Sequence, residues 1–356
     1  MFMFVKRTAL IIDLDLIKQV LIKDFNYFQD RGAFNNPRDD PLTGHLFSLE
    51  GDEWRAMRHK LTPVFTSGKI KHMSGVVVEV GHRLFDAMDK AVTVSRVEDG
   101  DVEIKDLCAR FTTDVIGSCA FGLECNSLQD PNAEFRAMGR KHFESRRHPQ
   151  IVHSFIMTNA KLAKKLRVKM LPDDITDFFM SAVRNTVFVA GFETSSSTMS
   201  FCLYELALNQ DIQQRVRQKI DSVLSSTEGG EITYDALAEM TYLEQVLAET
   251  LRKYSIVSHL VREANRDYKV PGTDIVIDKG SNILIPVYNI HHDPDIYSQP
   301  EKFDPSRFDP EAVKSRHPMA YLPFGDGPRN CIGLRFGKIQ AKIGLVSLLR
   351  HFKFAA

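Results

Sequence analysis

The sequence has few cysteines, one tryptophan and no long hydrophobic run. Cys108, Cys119, Cys125, Cys202 and Cys331 are the only thiols in 356 residues, and none forms a C-x-x-C pair. That spacing excludes a disulfide scaffold or zinc ribbon and fits a reducing compartment better. The apolar start at 1–5 is cut short by Lys6 and Arg7, so no signal-peptide core is expected. No stretch reaches the roughly 18 apolar residues of a membrane span, so the chain is not expected to cross a bilayer. Excess charge of one sign is absent too: 46 Lys and Arg balance 46 Asp and Glu, which leaves no field to attract nucleic acid. Repeats and low-complexity tracts are missing. What remains is 43% hydrophobic and 26% charged, an ordinary globular composition that excludes disorder, collagen and coiled coil. The length allows one large domain or two.

Helical periodicity dominates, with strand-like patches near both ends. Residues 2–14 are β-rich, 16–25 read as a short helix, and 31–47 as a long ordered loop. Helices are expected at 51–58, 68–92, 106–121 and 242–254, and from Ile175 onward behind the capping pair Asp173 and Asp174. Residues 97–101 read as a charged turn and 225–231 as a surface loop. Alternation over 270–287, punctuated by Pro271-Gly272 and Lys279-Gly280, predicts hairpin strands. From His291 to Pro328 prolines recur too often for a long helix or central strand. Beyond Cys331, the spacing of Ile339, Ile343, Val346 and Leu349 predicts an amphipathic helix. Helices without β-α-β alternation argue for a mainly α fold with a small β-sheet region.

The chemistry concentrates in Phe324-Gly325-Asp326-Gly327-Pro328-Arg329-Asn330-Cys331-Ile332-Gly333. Two glycines and a proline build a tight loop that can approach a ligand closely. Cys331 precedes a helix, whose dipole favours a thiolate, and Arg329 offers a planar fork suited to a carboxylate. A dinucleotide reading fails because Asn330 stands where the third glycine belongs. A lone loop cysteine is more often simple packing, but the ten-residue pattern outweighs that. Elsewhere Glu249 and Arg252 share a helix face three residues apart, as Trp54 and Arg58 do at four. Ala190-Gly191-Phe192-Glu193-Thr194 opens a Ser/Thr-rich helix in which Gly191 costs roughly 1 kcal/mol relative to Ala. His291-His292-Asp293 hints at a metal but has no third ligand in register, so turn capping is the better reading. Lys161, Lys164, Lys165, Arg167 and Lys169 suit either a membrane surface or a solvated helix face.

Together these stretches resemble the cytochrome P-450 haem-thiolate monooxygenases, with the insect microsomal detoxification branch as the nearest likeness. The resemblance covers most of the chain and implies a single P-450-like domain over 1–356. It implies haem as cofactor, with Cys331 as the axial metal ligand. Phe324, Gly325 and Gly333 would shape the haem loop, and Arg329, Trp54 and Arg58 would hold propionates. Ala190 and Gly191 would lie beside the haem, with Thr194 and Glu193 managing protons for dioxygen. Arg307, from Phe303-Asp304-Pro305-Ser306-Arg307-Phe308, would join Glu249 and Arg252 in a structural triad. Phe188, Phe192, Val257, His259 and Leu260 are the implied pocket residues. The implied reaction inserts one oxygen atom from O2 into a lipophilic substrate. Its electrons come from NADPH through a flavoprotein reductase docked near Lys338, Lys342 and Arg350, with a cytochrome b-type protein as a second donor. Attachment to the cytosolic face of the endoplasmic reticulum membrane is implied by likeness alone.

Four departures from the family pattern stand out. The apolar anchor and proline-rich hinge are missing, as are the strands after the last helix. Asn185-Thr186-Val187 runs straight into Phe188, where the family has a connecting helix and half of its central helix. One helix over 175–208 would be about 50 Å long and could not serve both family positions. Ser255 replaces a usual proline. These departures make an incomplete fold the expectation, and a non-catalytic haem binder or impaired truncated form the alternative reading.

Overall fold

The first strands of the chain pair with a strand from its last third in one sheet. The computed structural model describes residues 2–3, 6–98, 101–182 and 188–355, with the backbone alone at 3, 96–98, 182 and 188–190. Its strands are β1 (Phe2–Met3), β2 (Lys6–Leu10), β3 (Leu260–Glu263), β4 (Tyr268–Lys269), β5 (Val276–Ile277) and β6 (Asn282–Ile285). The main sheet runs β1-β2-β6-β3, while β4 and β5 pair as a separate antiparallel hairpin. β2 lies parallel to β6, with Ala9 opposite Ile283, and β3 lies antiparallel to β6, with Val261 opposite Leu284. The expected hairpin over 270–287 is therefore only half right: alternation marks β6 as a strand but cannot choose its partner.

Fifteen α-helices are found among the described residues. The first half of the chain supplies α1 (Leu14–Lys18), α2 (Gly51–Leu61), α3 (Ser67–Glu98), α4 (Ile104–Ile116), α5 (Glu134–Glu144), α6 (Gln150–Thr158) and α7 (Ala160–Lys165). Then come α8 (Asp173–Ala182), α9 (Phe188–Leu208), α10 (Gln210–Leu224), α11 (Tyr234–Glu239), α12 (Thr241–Lys253), α13 (Val287–His291), α14 (Pro310–Ser315) and α15 (Leu334–Leu349). The helix expected to reach residue 121 ends at Ile116, and Gly117–Phe121 continue as a wider π-type turn closed by Gly122 in the left-handed region. Part of the charged turn expected at 97–101 is absorbed into α3, which runs to Glu98. The junction at Asn185-Thr186-Val187 lies outside the described residues.

Three larger apolar cores and two small ones, around Trp54 and around Ile156, are found among the described residues. The largest packs α3, α4, α9, α10, α12 and α15 around Leu84, Phe111, Leu203, Val246 and Leu345. A second joins Ile17, Leu21 and Phe28 to Ile283, Ile285 and Leu322 beneath the sheet. The third sets Ile175 and Phe179 of α8 against Ile116, Phe135 and Phe192. α15 is not the amphipathic helix expected: every residue from Gln340 to Leu349 is buried. Lys342 finds Glu244 and the Leu237 carbonyl inside the core instead of solvent, a difference that periodicity does not record.

Candidate active site

The loop before α15 is fixed by its own backbone. Asp326 Oδ1 accepts from the Gly327 amide at 2.6 Å, and the Cys331 amide donates to the Phe324 carbonyl at 2.9 Å. Gly327 has φ 72°, and a Cβ there would run into the Leu21 carbonyl. Glycine is thus required twice over at that position, by backbone angle and by space. The loop presents Cys331 to an apolar cavity of about 400 Å³, which explains a side chain that is accessible yet enclosed. Phe324, Gly333, Phe336, Leu247 and Leu251 share its wall, as do Gly191, Thr194, Ser195 and Thr198 of α9. Burial pushes the Cys331 thiol up; the Gly333 amide and the Arg58 and Arg31 guanidinium groups oppose this without reversing it. Burial thus works against the thiolate expected from the helix start, and a cation at the sulfur would favour it.

α9 reaches the cavity because it packs closely on α4. A Cβ at Gly191 would collide with Ile116, and Thr112 Oγ1 donates to the Phe192 carbonyl at 2.9 Å. Thr194 lies on the cavity wall, and the Thr198 hydroxyl donates to its carbonyl at 2.8 Å. Glu193 does not line the cavity; its carboxylate lies 4.0 Å from Lys105 Nζ and is partly solvated. Ala190 belongs to α9, but its side chain lies outside the described residues. On the α15 wall the fully buried Gln340 has neither amide atom paired. An ordered water is the usual partner for such a group.

Beside the sulfur, four arginines gather. Arg58 donates to the Asn330 carbonyl and side chain, both at 2.8 Å, so it braces the loop next to Cys331. Arg329 is buried, donates to the Leu49 carbonyl at 2.8 Å and pairs with Asp30 at 3.2 Å, its guanidinium 4.2 Å over the Trp54 ring. Trp54 is buried in turn against Phe25. Arg31 donates to the Arg329 carbonyl at 3.0 Å, and buried Arg262 to the Val261 carbonyl at 2.8 Å. Burial first, then mutual repulsion, lowers Arg31 to about 8 and Arg262 to about 10; Arg329, with Asp30 opposing, stands at about 10 as well. The Nε atoms of Arg262 and Arg329 are buried without a partner. A cluster so poorly neutralised calls for anionic groups, and arginine forks suit carboxylates.

Beneath the loop, the predicted triad is assembled. Arg252 grips Glu249 through Nε and Nη2, at 2.7 and 2.8 Å, and both side chains are wholly buried. Arg307 Nε lies 3.4 Å from Glu249 Oε1, which also accepts from the Asp304 amide at 3.0 Å. Arg252 spends its remaining donors on the His291 and Pro300 carbonyls, at 2.8 and 2.7 Å.

The family model for cytochrome P450 matches residues 1–187 and 180–356. The chain belongs to the cytochrome P450 family. Probable cytochrome P450 6a14 of Drosophila melanogaster is 67% identical over 407 positions, covering 100% of this chain and 80% of that protein. Cytochrome P450 6a2 of the same fly is 46% identical over 98% of this chain and 78% of its own length. Cytochrome P450 6A1 of Musca domestica is 45% identical over 98% and 77%. These relatives place the chain in the insect branch, as a haem-dependent monooxygenase. Because 407 aligned positions face only 356 residues, the first of these relatives carries internal residues that this chain lacks.

The P450 residues fit haem. The apolar cavity suits a flat macrocycle, the sulfur on its wall suits the iron, and the under-neutralised arginines suit propionate groups. Arg31 and Arg262 were not foreseen from sequence, since neither sits in a recognisable spacing and only the folded chain brings them to Arg329. Of the five implied pocket residues, Val257 lines the cavity. Phe192 is instead buried in the α8 core, His259 is exposed beside Ser258, and Leu260 sits in β3 off the cavity wall. The Phe188 side chain lies outside the described residues. Of the expected docking residues, Lys342 is corrected by its burial. Lys338 and Lys342 are both held by Glu244, at 2.6 and 2.8 Å, and Lys342 is buried, whereas Arg350 remains exposed. His291-His292-Asp293 holds no metal-ligand cluster, and none occurs among the described residues. No helix among them is long and apolar enough to cross a membrane.

Proposed function

We propose that this chain is one P450 domain that holds haem through Cys331 and oxygenates a lipophilic small molecule, with electrons drawn from NADPH through a flavoprotein reductase. A cytochrome b-type protein serves as a second donor, and the working place is the cytosolic face of the endoplasmic reticulum. One observation carries the reading: the Cys331 sulfur opens on an apolar cavity whose wall it shares with Thr194, beside four arginines short of counter-ions. Bound haem would supply reductive activation of dioxygen. Arg31, Arg58, Arg262 and Arg329 would hold its carboxylates, and the Trp54 ring fixes the Arg329 plane. Phe47, Phe65 and Val257 add apolar surface to the cavity wall. Thr194 would move a proton at its Oγ1, with Glu193 feeding it from the solvent edge of α9.

The internal residues missing relative to the close relative fall, in this reading, at the junction where the two family-model matches meet, 180–187. The first test is the reduced carbonyl spectrum of the purified, haem-loaded chain. A Soret band at the thiolate position, lost in Cys331→Ser, is expected. Haem uptake without that band, or with it unchanged in Cys331→Ser, rejects Cys331 as the ligand. NADPH consumption with reductase, matched by oxygenated product from an apolar probe, separates a competent enzyme from a passive haem binder.

A further inference from the structure

We propose that His291 is a positioning residue that carries the geometry of the buried Glu249–Arg252 pair to the cysteine loop. The inference rests on the reading of Cys331 as the haem ligand. His291 sits at the end of α13, wholly buried, and each of its polar groups is used. Its carbonyl accepts from Arg252 Nη1 at 2.8 Å. Its Nε2 accepts from the Leu322 amide at 2.9 Å, and its Nδ1 lies 2.9 Å from Ser255 Oγ.

The tautomer follows from these partners. An amide N–H can only donate, so Nε2 must be the acceptor and Nδ1 carries the proton, which it donates to Ser255 Oγ. Ser255 Oγ in turn donates to the Arg252 carbonyl at 3.3 Å. Burial keeps the ring neutral: His291 is lowered to about 3, although the Arg252 hydrogen bond opposes this. Ser255, which stands where the family pattern has proline, thereby gains a function that proline cannot supply. It accepts the Nδ1 proton of the tautomer that the Leu322 amide requires.

Leu322 is the anchor of the loop. Its carbonyl accepts from the Gly325 amide at 3.1 Å, and two residues beyond it the Phe324 carbonyl accepts from the Cys331 amide at 2.9 Å. Next to Leu322, Tyr321 lies against the His291 ring at 5.5 Å and donates to the Ala248 carbonyl at 3.0 Å, on the helix of Glu249. A continuous set of bonds therefore runs from Glu249 through Arg252 and His291 to Leu322, and through the loop backbone to Cys331. Without the Nε2 acceptor, the buried Leu322 amide has no partner and the loop must move to find one.

The test uses two amides as probes of position. Gln places its Oε1 as many bonds from Cα as Nε2, whereas Asn reaches only to the Nδ1 position. With the full chain loaded with haem, His291→Asn is expected to shift a large share of the reduced carbonyl band away from the thiolate position, and His291→Gln to restore it. In haem-free protein, amide exchange over 322–331 should rise about tenfold in His291→Asn and stay near the parent rate in His291→Gln, with α12 unchanged. Equal behaviour of the two variants, or an unmoved spectrum and exchange rate in His291→Asn, overturns the role. A parent chain without a thiolate band defeats the Cys331 reading instead, while the exchange measurement still decides whether His291 holds the loop.

Discussion

Buried charge decides the outcome of single substitutions here. Arg252→Ala leaves the Glu249 side chain wholly buried and held only by Arg307 and the Asp304 amide, and should lose about 3–5 kcal/mol of stability. Arg307→Ala should lose clearly less, because that side chain is partly solvated and its 3.4 Å contact is the longer one. Urea unfolding of both variants checks the order, and an equal loss would contradict it. The pairing itself was readable in advance, because three-residue spacing on a helix sets two side chains on one face. The Arg31–Arg262–Arg329 cluster was not. Those residues are 67 to 298 positions apart in a chain whose spacing carries no mark of them, and only the approach of β3 to the loop after α1 unites them. Glu193 shows the converse: its motif was legible, yet helix rotation turns it toward Lys105.

At the scale of elements, close backbone contacts matter more than apolar area. Gly327→Ala combines a left-handed φ with a collision against backbone at Leu21, so no side-chain adjustment relieves it. The variant should lose about 3 kcal/mol or more and bind haem poorly, whereas Gly68→Ala, which meets nothing within 4 Å in α3, should be neutral or mildly stabilising. Thermal unfolding of the pair separates the two mechanisms. α9 shows why such contacts escape a sequence reading. Ser195, Ser196 and Thr198 are buried while Phe201, Tyr204 and Leu208 are exposed, an inversion of the usual pattern. Small hydroxyl residues let α4 and α15 come close, so the face that looks polar is the one that packs. The helices expected at 51–58, 68–92, 106–121 and 242–254 are found with shifted ends, whereas α5, α6 and α7 were not foreseen, nor was which side of each helix faces inward.

For the molecule as a whole, acid is the weak direction. Burial lowers His45 to about 4, with His142 and Arg31 adding repulsion, and lowers His291 to about 3. Both titrate near 6.5 when unfolded, so the unfolded chain binds more protons below that point. Stability is complete above pH 6.5 and falls as pH drops through 6.5 toward 4, by about 1.4 kcal/mol per unit for each histidine. Urea unfolding at pH 7, 6 and 5 should show the decline, and His45→Gln should flatten it by about one histidine's share; parallel slopes would count against burial as the cause. Despite the residues its close relative carries internally, α8 and α9 still share a core through Phe179 and Phe192. The fold class and the cysteine loop were open to sequence reading, while the partner of β6 was not, because alternation describes a strand and not its neighbour.

That partner has a consequence for biogenesis. β2 occupies residues 6–10 and its parallel mate 282–285. At about 5–20 residues per second, a ribosome needs roughly 15–55 s between making the first and the second. Throughout that interval the β2 segment has no β6 to pair with, and β1 is the one neighbour already made that can cover its edge.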